Sequence, residues 1–359
     1  MRVIIVGGGI NGLLSARLLA AAGVEVTLLE RGSIGQEASW AGGGIVSPLY
    51  PWRYAPAVTA LARWAQTAYP ALTQALRDET GLDAEFTRSG LLFLDTSDAR
   101  DAQAWAQKQG VACEILLADT LHRRWPGLAD DVEHGVYLPE VAQVRNPRLL
   151  KALRAALAGQ QRVTLLEQAE VVRVKSQPKP QVVLAHGEKL EADAVVLTGG
   201  AWTQSLLSDL GLKLPIRPIK GQMQLYQLAP SALPTMILRH GHYVIPRRDG
   251  LVLCGSTLED TGFEKSVSEA AHTTLRAAAL SLWPALAQAP CVAQWAGLRP
   301  GSPNGIPFIG EVPNHPGVWV NAGQFRNGLV LAPASAQLLC DQLLGRTGTL
   351  DAAPYQLFS

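Results

Sequence analysis

The sequence predicts an α/β protein: a doubly wound parallel sheet joined to a second, α+β domain that carries an antiparallel sheet. Three observations predict it. The wholly apolar run at 3–6 within Arg2–Val6 empties into Gly7-Gly8-Gly9-Ile10-Asn11-Gly12, the strand-to-helix junction of such sheets. A second strand, glycine loop and helix recur near the far end, where 318–321 runs into Ala322-Gly323-Gln324-Phe325-Arg326-Asn327-Gly328. Between them, strand-like runs at 91–94, 222–227 and 251–254 alternate with helical stretches, the pattern of an antiparallel sheet.

The first junction is a GxGxxG on Gly7, Gly9 and Gly12. Leu14, Leu18 and Leu19 follow at helical spacing, and Gly23 stands as the stop. A second strand at 24–29 ends at Glu30, about 20 residues past the glycines, where a carboxylate accepts the hydroxyls of an adenosine ribose. In such a junction Gly7 permits the tight turn, Gly9 lets the backbone approach a pyrophosphate, and Gly12 lets helix pack on strand. The helix N-terminus supplies N–H groups and a positive field for phosphate. Glu30 disfavours a 2′-phosphate, and Arg31 beside it keeps NADP from being excluded. FAD and NAD share this fingerprint. The second glycine junction and its helix at 329–344 aim a positive end at another anionic part of the same ligand, which NAD does not need. A third junction, Ala194–Leu197 into Thr198-Gly199-Gly200, fits a strand returning to the nucleotide sheet.

Composition bounds the alternatives. With 359 residues, 48% hydrophobic and 17% charged, the chain has ample core and is not a disordered polymer. Its 31 basic and 30 acidic residues leave a net charge of +1, with no stripe for a polyanion, so nucleic acid is excluded as a partner. Cys113, Cys254, Cys291 and Cys340 form no CxxC pair and no disulfide ladder, which suits a reducing cytoplasm. The apolar stretch 13–29 is interrupted by Arg17 and Glu25, too short and too charged to span a bilayer, and the glycines of 1–23 fit a nucleotide loop better than a signal peptide. His240 and His242 lack a third ligand for a metal. Asn146 before Pro147 reads as a helix cap. Trp52, Trp64 and Trp105 read as packing, and Lys175 to Gln181 as a hairpin turn.

Eight blocks carry a family resemblance: GGGINGLLSA at 7–16, LLERG at 28–32, GQEASWAGGGIVSPLYPWRY at 35–54, VRNPRL at 144–149, PIKGQM at 218–223, YVIPRRDG at 243–250, WAGLRPGSPNGIPFIG at 295–310 and GQFRNGLVLAPAS at 323–335. The sequence resembles the glycine oxidase branch of the FAD-dependent D-amino acid oxidase superfamily, in particular the bacterial thiazole-pathway enzymes of thiamine biosynthesis. The resemblance implies an FAD-binding, Rossmann-like domain built discontinuously from 1–85, 145–215 and 296–359, and a substrate domain from 86–144 and 216–295. It places Ile10, Asn11, Ala38 and Ser39 at the pyrophosphate, Glu30 and Arg31 at the adenosine end, Gly43, Gly44 and Ile45 along the flavin ring, and Val171 at the adenine. Gly199 belongs to the third junction, and the loop Gly323, Gln324, Phe325, Arg326, Asn327, Gly328 and Leu329 covers the pyrimidine edge of the flavin.

For the substrate, the resemblance makes Arg299 the carboxylate anchor, a task that suits a planar guanidinium fork. Tyr243 faces the same carboxylate, Arg326 acts through its backbone, and Leu258 lines the pocket. It further implies noncovalent FAD, because the cysteine that holds flavin in sarcosine oxidases is missing from 302–309 and their flavin-side lysine from 251–254. The activity implied is oxidation of glycine, sarcosine or small D-amino acids by hydride transfer to flavin N5, with dioxygen as acceptor, giving imine or α-keto acid, ammonia and hydrogen peroxide in a homotetrameric enzyme. Two other classes stay open: a D-amino acid dehydrogenase passing electrons to a membrane quinone, against which the missing anchor counts, and a non-catalytic flavin carrier, which leaves Arg299 and Tyr243 without purpose.

Overall fold

Six strands make the central sheet of the computed structural model, which describes residues 1–357. Their order is Phe308–Glu311, Val318–Ala322, Ala194–Leu197, Arg2–Val6, Glu25–Leu29 and Val163–Leu166. All neighbours run parallel except the first pair. In the centre Ile4 sits between Thr27 and Val195, and these strands are buried on both faces, which is why they read as continuous apolar runs rather than alternating ones.

One face carries the helices Ile10–Ala21, Pro56–Thr80, Asn146–Ala158 and Gly328–Leu343, packed through Leu13, Leu61, Tyr69, Leu153 and Leu331. The other face carries a three-stranded antiparallel sheet, Val171–Lys175, Gln181–Leu184 and Lys189–Glu191. Its Val174, Val182 and Leu184 pack on Ile4, Val195 and Val320. A doubly wound sheet usually has helices there; here Gln181–Leu184 alternates, burying Val182 and Leu184, and a register shift against it lets Val171–Lys175 bury Val171 and Val174, three residues apart. The turn at Lys175 to Gln181 joins the first two of these strands, as read from the sequence.

The second sheet has eight strands in the order Cys291–Gly301, Arg217–Gln227, Leu251–Gly255, His242–Pro246, Met236–Arg239, Leu91–Leu94, His134–Leu138 and Glu114–Leu117. It is antiparallel apart from the parallel pairing of Met236–Arg239 with Leu91–Leu94. That pairing stitches the two inserted segments into one sheet. The long edge strand Cys291–Gly301 runs on past position 296 towards the parallel sheet, so it carries residues of the second sheet directly to the glycine junctions.

The first junction is tight. A Cβ on Gly12 would fall on the Gly7 carbonyl, and one on Gly7 would meet the Thr198 carbonyl at 2.6 Å; the Thr198 hydroxyl donates to the carbonyl of Gly7 at 2.8 Å. Gly12→Ala is therefore expected to cost about 1–3 kcal/mol through overpacking. A lower urea midpoint at unchanged slope in the FAD-free protein is the expected reading; an unchanged midpoint would mean that the helix moves off the strand without penalty.

Candidate active site

A cleft enclosing about 1630 Å³, its open mouth included, runs from the first glycine junction to the second sheet. Gly7, Gly9, Ile10, Asn11, Glu30, Arg31, Ala38, Ser39, Gly43, Gly44, Ile45, Val171, Gly199, Gln324, Phe325, Arg326, Gly328 and Leu329 line it, as do Tyr243 and Arg299. Gly12, Gly323 and Asn327 stand behind its wall. Gly12 is consumed in helix packing, Gly323 backs onto Phe308 and Ser302, and Asn327 is buried below the last helix. Leu258, expected in the pocket, is 58% exposed and lies outside the cleft: the segment after Leu251–Gly255 stays paired with the strand Arg217–Gln227, through Thr257 to the Gln222 carbonyl at 3.3 Å and Glu259 to the Lys220 carbonyl at 2.9 Å, and the side chain between these pairings faces solvent.

At the first junction the cap residue Gly9 has no side chain to offer the helix Ile10–Ala21, so the N–H groups that follow Ile10 stay available. The Ser39 hydroxyl accepts the Ile10 N–H at 3.0 Å. Glu30 is buried and already shaped for a ligand: its two oxygens accept the N–H groups of Gly8 at 2.8 Å and Gly32 at 3.0 Å, which leaves one lone-pair side of the carboxylate free towards the cleft. Arg31 lies 3.7 Å over the Trp202 ring, pairs with Glu37 at 3.0 Å, and Trp202 stacks on Phe263.

The run Ala41 to Ile45 is wedged between three other segments. A Cβ on Gly44 would fall on the Val144 carbonyl, and one on Gly43 would meet Ile245 at 2.9 Å and the Tyr243 ring at 3.1 Å. Trp295 donates its indole N–H to the Ala41 carbonyl at 3.1 Å, with Trp40 edge-on to it. Asn146 corrects the sequence reading. Arg145 occupies the cap position and no side chain caps this helix; Asn146 is the first helical residue, fully buried, and donates to the Ser39 carbonyl at 2.8 Å. A polar side chain with a partner across the fold does not cap its own helix.

The far end of the cleft is cationic. Arg299 lies across the backbone of Gly221, where a Cβ would fall on its guanidinium. It donates to the Ser256 hydroxyl at 2.7 Å and the Thr257 carbonyl at 3.2 Å. Burial first, then the nearby charge of Arg326, lower its pKa. Among the described residues no carboxylate pairs with Arg326. The Tyr243 hydroxyl donates to the Met223 sulfur at 3.5 Å and lies close enough to Arg299 to favour its charge. Among the described residues no cluster of three or more His, Cys, Asp or Glu could hold a metal, and no helix is long and apolar enough to cross a membrane.

These features fit FAD. The buried oxygens Asn11 Oδ1 and Asn146 Oδ1, both on residues lining the cleft, have no partner, the state of groups that await a ligand. The close-packed glycines leave backbone rather than side chains along the wall. Cleft residues that sequence reasoning missed include Trp202, Glu37, Ser47, Ala169 and Ser205, and Asn146 was read only as a cap; Trp202 stands two residues past the third glycine junction, and that placement was its one signal.

A glycine oxidase of Pseudomonas aeruginosa is 52% identical over 355 residues, spanning 99% of this chain and 98% of that protein. The crystal structure of glycine oxidase from Geobacillus kaustophilus matches with a TM-score of 0.94 at 31% identity, covering 99% of this chain and 98% of that one. A bifunctional protein ThiO/ThiG of Trichormus variabilis is 32% identical over 349 residues, which is 94% of this chain and 52% of that longer protein. The likeness read from the motif blocks thus extends over nearly the full length. Residues 2–342 match the family described as DAO, FAD dependent oxidoreductase, and with this fold and this cleft the chain belongs to that family.

Proposed function

We propose that the protein oxidises glycine and closely related small amines, sarcosine and small D-amino acids, with noncovalent FAD, and that the imine either hydrolyses to α-keto acid and ammonia or passes to thiazole synthesis for thiamine. The observation that carries this reading is the half-buried Arg299 beside Tyr243, on the wall of the same cleft that begins at the glycine junction. When bound, FAD supplies the two-electron acceptor for the α C–H bond, held by the residues around Gly7, Glu30, Ser39, Gly43 and Gln324.

The chain supplies binding, orientation and exclusion of water. Two of the five Arg299 N–H donors are taken by Ser256 and Thr257, which fixes the plane of the guanidinium and leaves donors for a substrate carboxylate. The Tyr243 hydroxyl exchanges a weak sulfur acceptor for a carboxylate oxygen at little cost. Burial strengthens both contacts. With the carboxylate held at this end, the α-carbon is turned towards the Gly43 to Ile45 wall. Hydride loss from a neutral amine needs no general base, so the absence of a catalytic triad is no defect. Dioxygen as acceptor, a cytoplasmic setting and a homotetramer are part of the same reading, supported by the family resemblance.

The yellow protein, mixed anaerobically with glycine, sarcosine and D-alanine in turn and then exposed to air, is expected to bleach and to recover with release of hydrogen peroxide. Bleaching without recovery in air would point to a dehydrogenase, and no bleaching by any of the three would remove the amine-oxidase reading.

Arg299→Met is expected to raise the KM for glycine by about 10²-fold or more, the loss of a bidentate charged pair, with FAD still bound. Gly221→Ala pushes the guanidinium aside without touching the carboxylate; a KM raised at least about 10-fold is expected, and an unchanged KM would show that Arg299 does not hold the substrate.

A further inference from the structure

Arg247 is a buried cation with no role in the site as described so far. It is 9% exposed, and every one of its hydrogen bonds goes to a neutral carbonyl. Its Nη2 donates to the Gly43 carbonyl at 2.7 Å; its Nη1 donates to Gln143 Oε1 at 2.7 Å and to the Val144 carbonyl at 3.0 Å. Among the described residues no carboxylate pairs with it, and burial pushes its pKa down to about 10. Its neighbour Arg248 is ordinary by contrast, half exposed and paired with Asp83 at 2.8 Å. Glu85 and Asp249 lie near enough to favour its charge but pair with Arg145 instead; a buried charge that no carboxylate touches costs stability that an apolar side chain would not, so the fork at this place needs another explanation.

Its position supplies one. Tyr243 and Ile245 alternate onto one face of the strand His242–Pro246, and Arg247 continues that spacing just past the strand's end. All three touch or closely approach Gly43. The run behind Gly43 is itself paired with the segment 142–144: Val144 donates to the Gly44 carbonyl at 2.9 Å and Val46 to the Ala142 carbonyl at 2.8 Å. Arg247 therefore joins three segments at one point, the glycine run, the segment it pairs with, and the strand that carries Tyr243.

We propose that Arg247 is a positioning residue: its fork fixes the height of the Gly42 to Gly44 backbone against the Tyr243 strand, and so the spacing between the held substrate and the flavin-side wall. This rests on the amine-oxidase reading above. A lysine keeps the charge and loses the planar fork, so charge alone does not suffice.

The test measures anaerobic flavin reduction by glycine in the FAD-loaded Arg247→Met, Arg247→Lys and Arg248→Met variants, and amide hydrogen exchange at 43–46 in the FAD-free proteins. The limiting reduction rate is expected to fall about 10²-fold in Arg247→Met and at least about 10-fold in Arg247→Lys, the scale of a misplacement near 1 Å. Glycine affinity should stay within about threefold, exchange should rise at least about 10-fold, and Arg248→Met should match the parent. A second cavity of about 690 Å³, its open mouth included, is lined by Arg247, Arg248 and Gln143. Through it, added guanidinium ion should restore much of the rate to Arg247→Ala. Should the apolar variants not fold, Arg247→Lys decides alone. A limiting rate within about threefold of the parent at full FAD content would overturn the proposal, as would a loss that follows FAD content and is not rescued. If glycine fails to bleach the parent protein, the functional reading has failed instead, and exchange in the FAD-free proteins still tests the tether, unchanged exchange overturning it.

Discussion

The backbone from Ala41 to Ile45 passes too close to its neighbours for side chains to intervene, and much else follows from that constraint. Val144 blocks one side of Gly44, Tyr243 and Ile245 block one side of Gly43, and Trp295 holds the Ala41 carbonyl. Interiors packed to crystal density are not continuously adjustable. The two sheets therefore meet across this run in one register. The arrangement brings a tyrosine from one sheet and a dinucleotide junction from the other to opposite walls of a single cleft.

Charge is distributed along that cleft in the same graded way. At one end Arg31 is shared among Glu37 and the face of Trp202, with Lys265 on the other side of Glu37 at 2.9 Å. Those contacts are exposed enough that each contributes little to stability; they shape the rim. At the other end Arg299 is half-buried in the cleft wall and held by a hydroxyl and a carbonyl, so an anion arriving there meets a cation that, among the described residues, no carboxylate pairs with, in a medium less polar than water. The contrast separates a rim that tolerates variation from an anchor that does not.

The parallel core was legible because its signals are local. Arg2–Val6 after its first residue and Ala194–Leu197 are contiguous apolar runs with glycine or turn residues beside them, and the glycine junctions announce themselves by spacing. Arg299 and Tyr243 were reached through resemblance, since an arginine in a strand has no periodic signature. What stayed hidden depends on distant partners. Asn146 carries a good capping sequence, yet its side chain answers to Ser39 across the fold. Leu258 matches a pocket position by resemblance, but no local rule states which way its side chain faces once Thr257 and Glu259 pair with the neighbouring strand. The covering of one sheet face by three strands instead of helices was half visible in the hairpin at 175–181 and otherwise a matter of tertiary packing.

The contacts that shape the cleft span great lengths of chain. Asn146 reaches Ser39, Arg247 reaches Gly43, Trp295 reaches Ala41, and the hydroxyl of Tyr69 donates to the carbonyl of Leu329 at 2.6 Å. Loop closure on this scale comes late in folding. During synthesis the glycine junction at the N-terminal end leaves the ribosome long before any of these partners exists. The early strands and first helix can assemble around a nucleotide, but the wall facing the flavin ring has no fixed shape until the last helix is made. Capture of the whole cofactor in this fold consequently waits until the helix Gly328–Leu343 has closed on Tyr69.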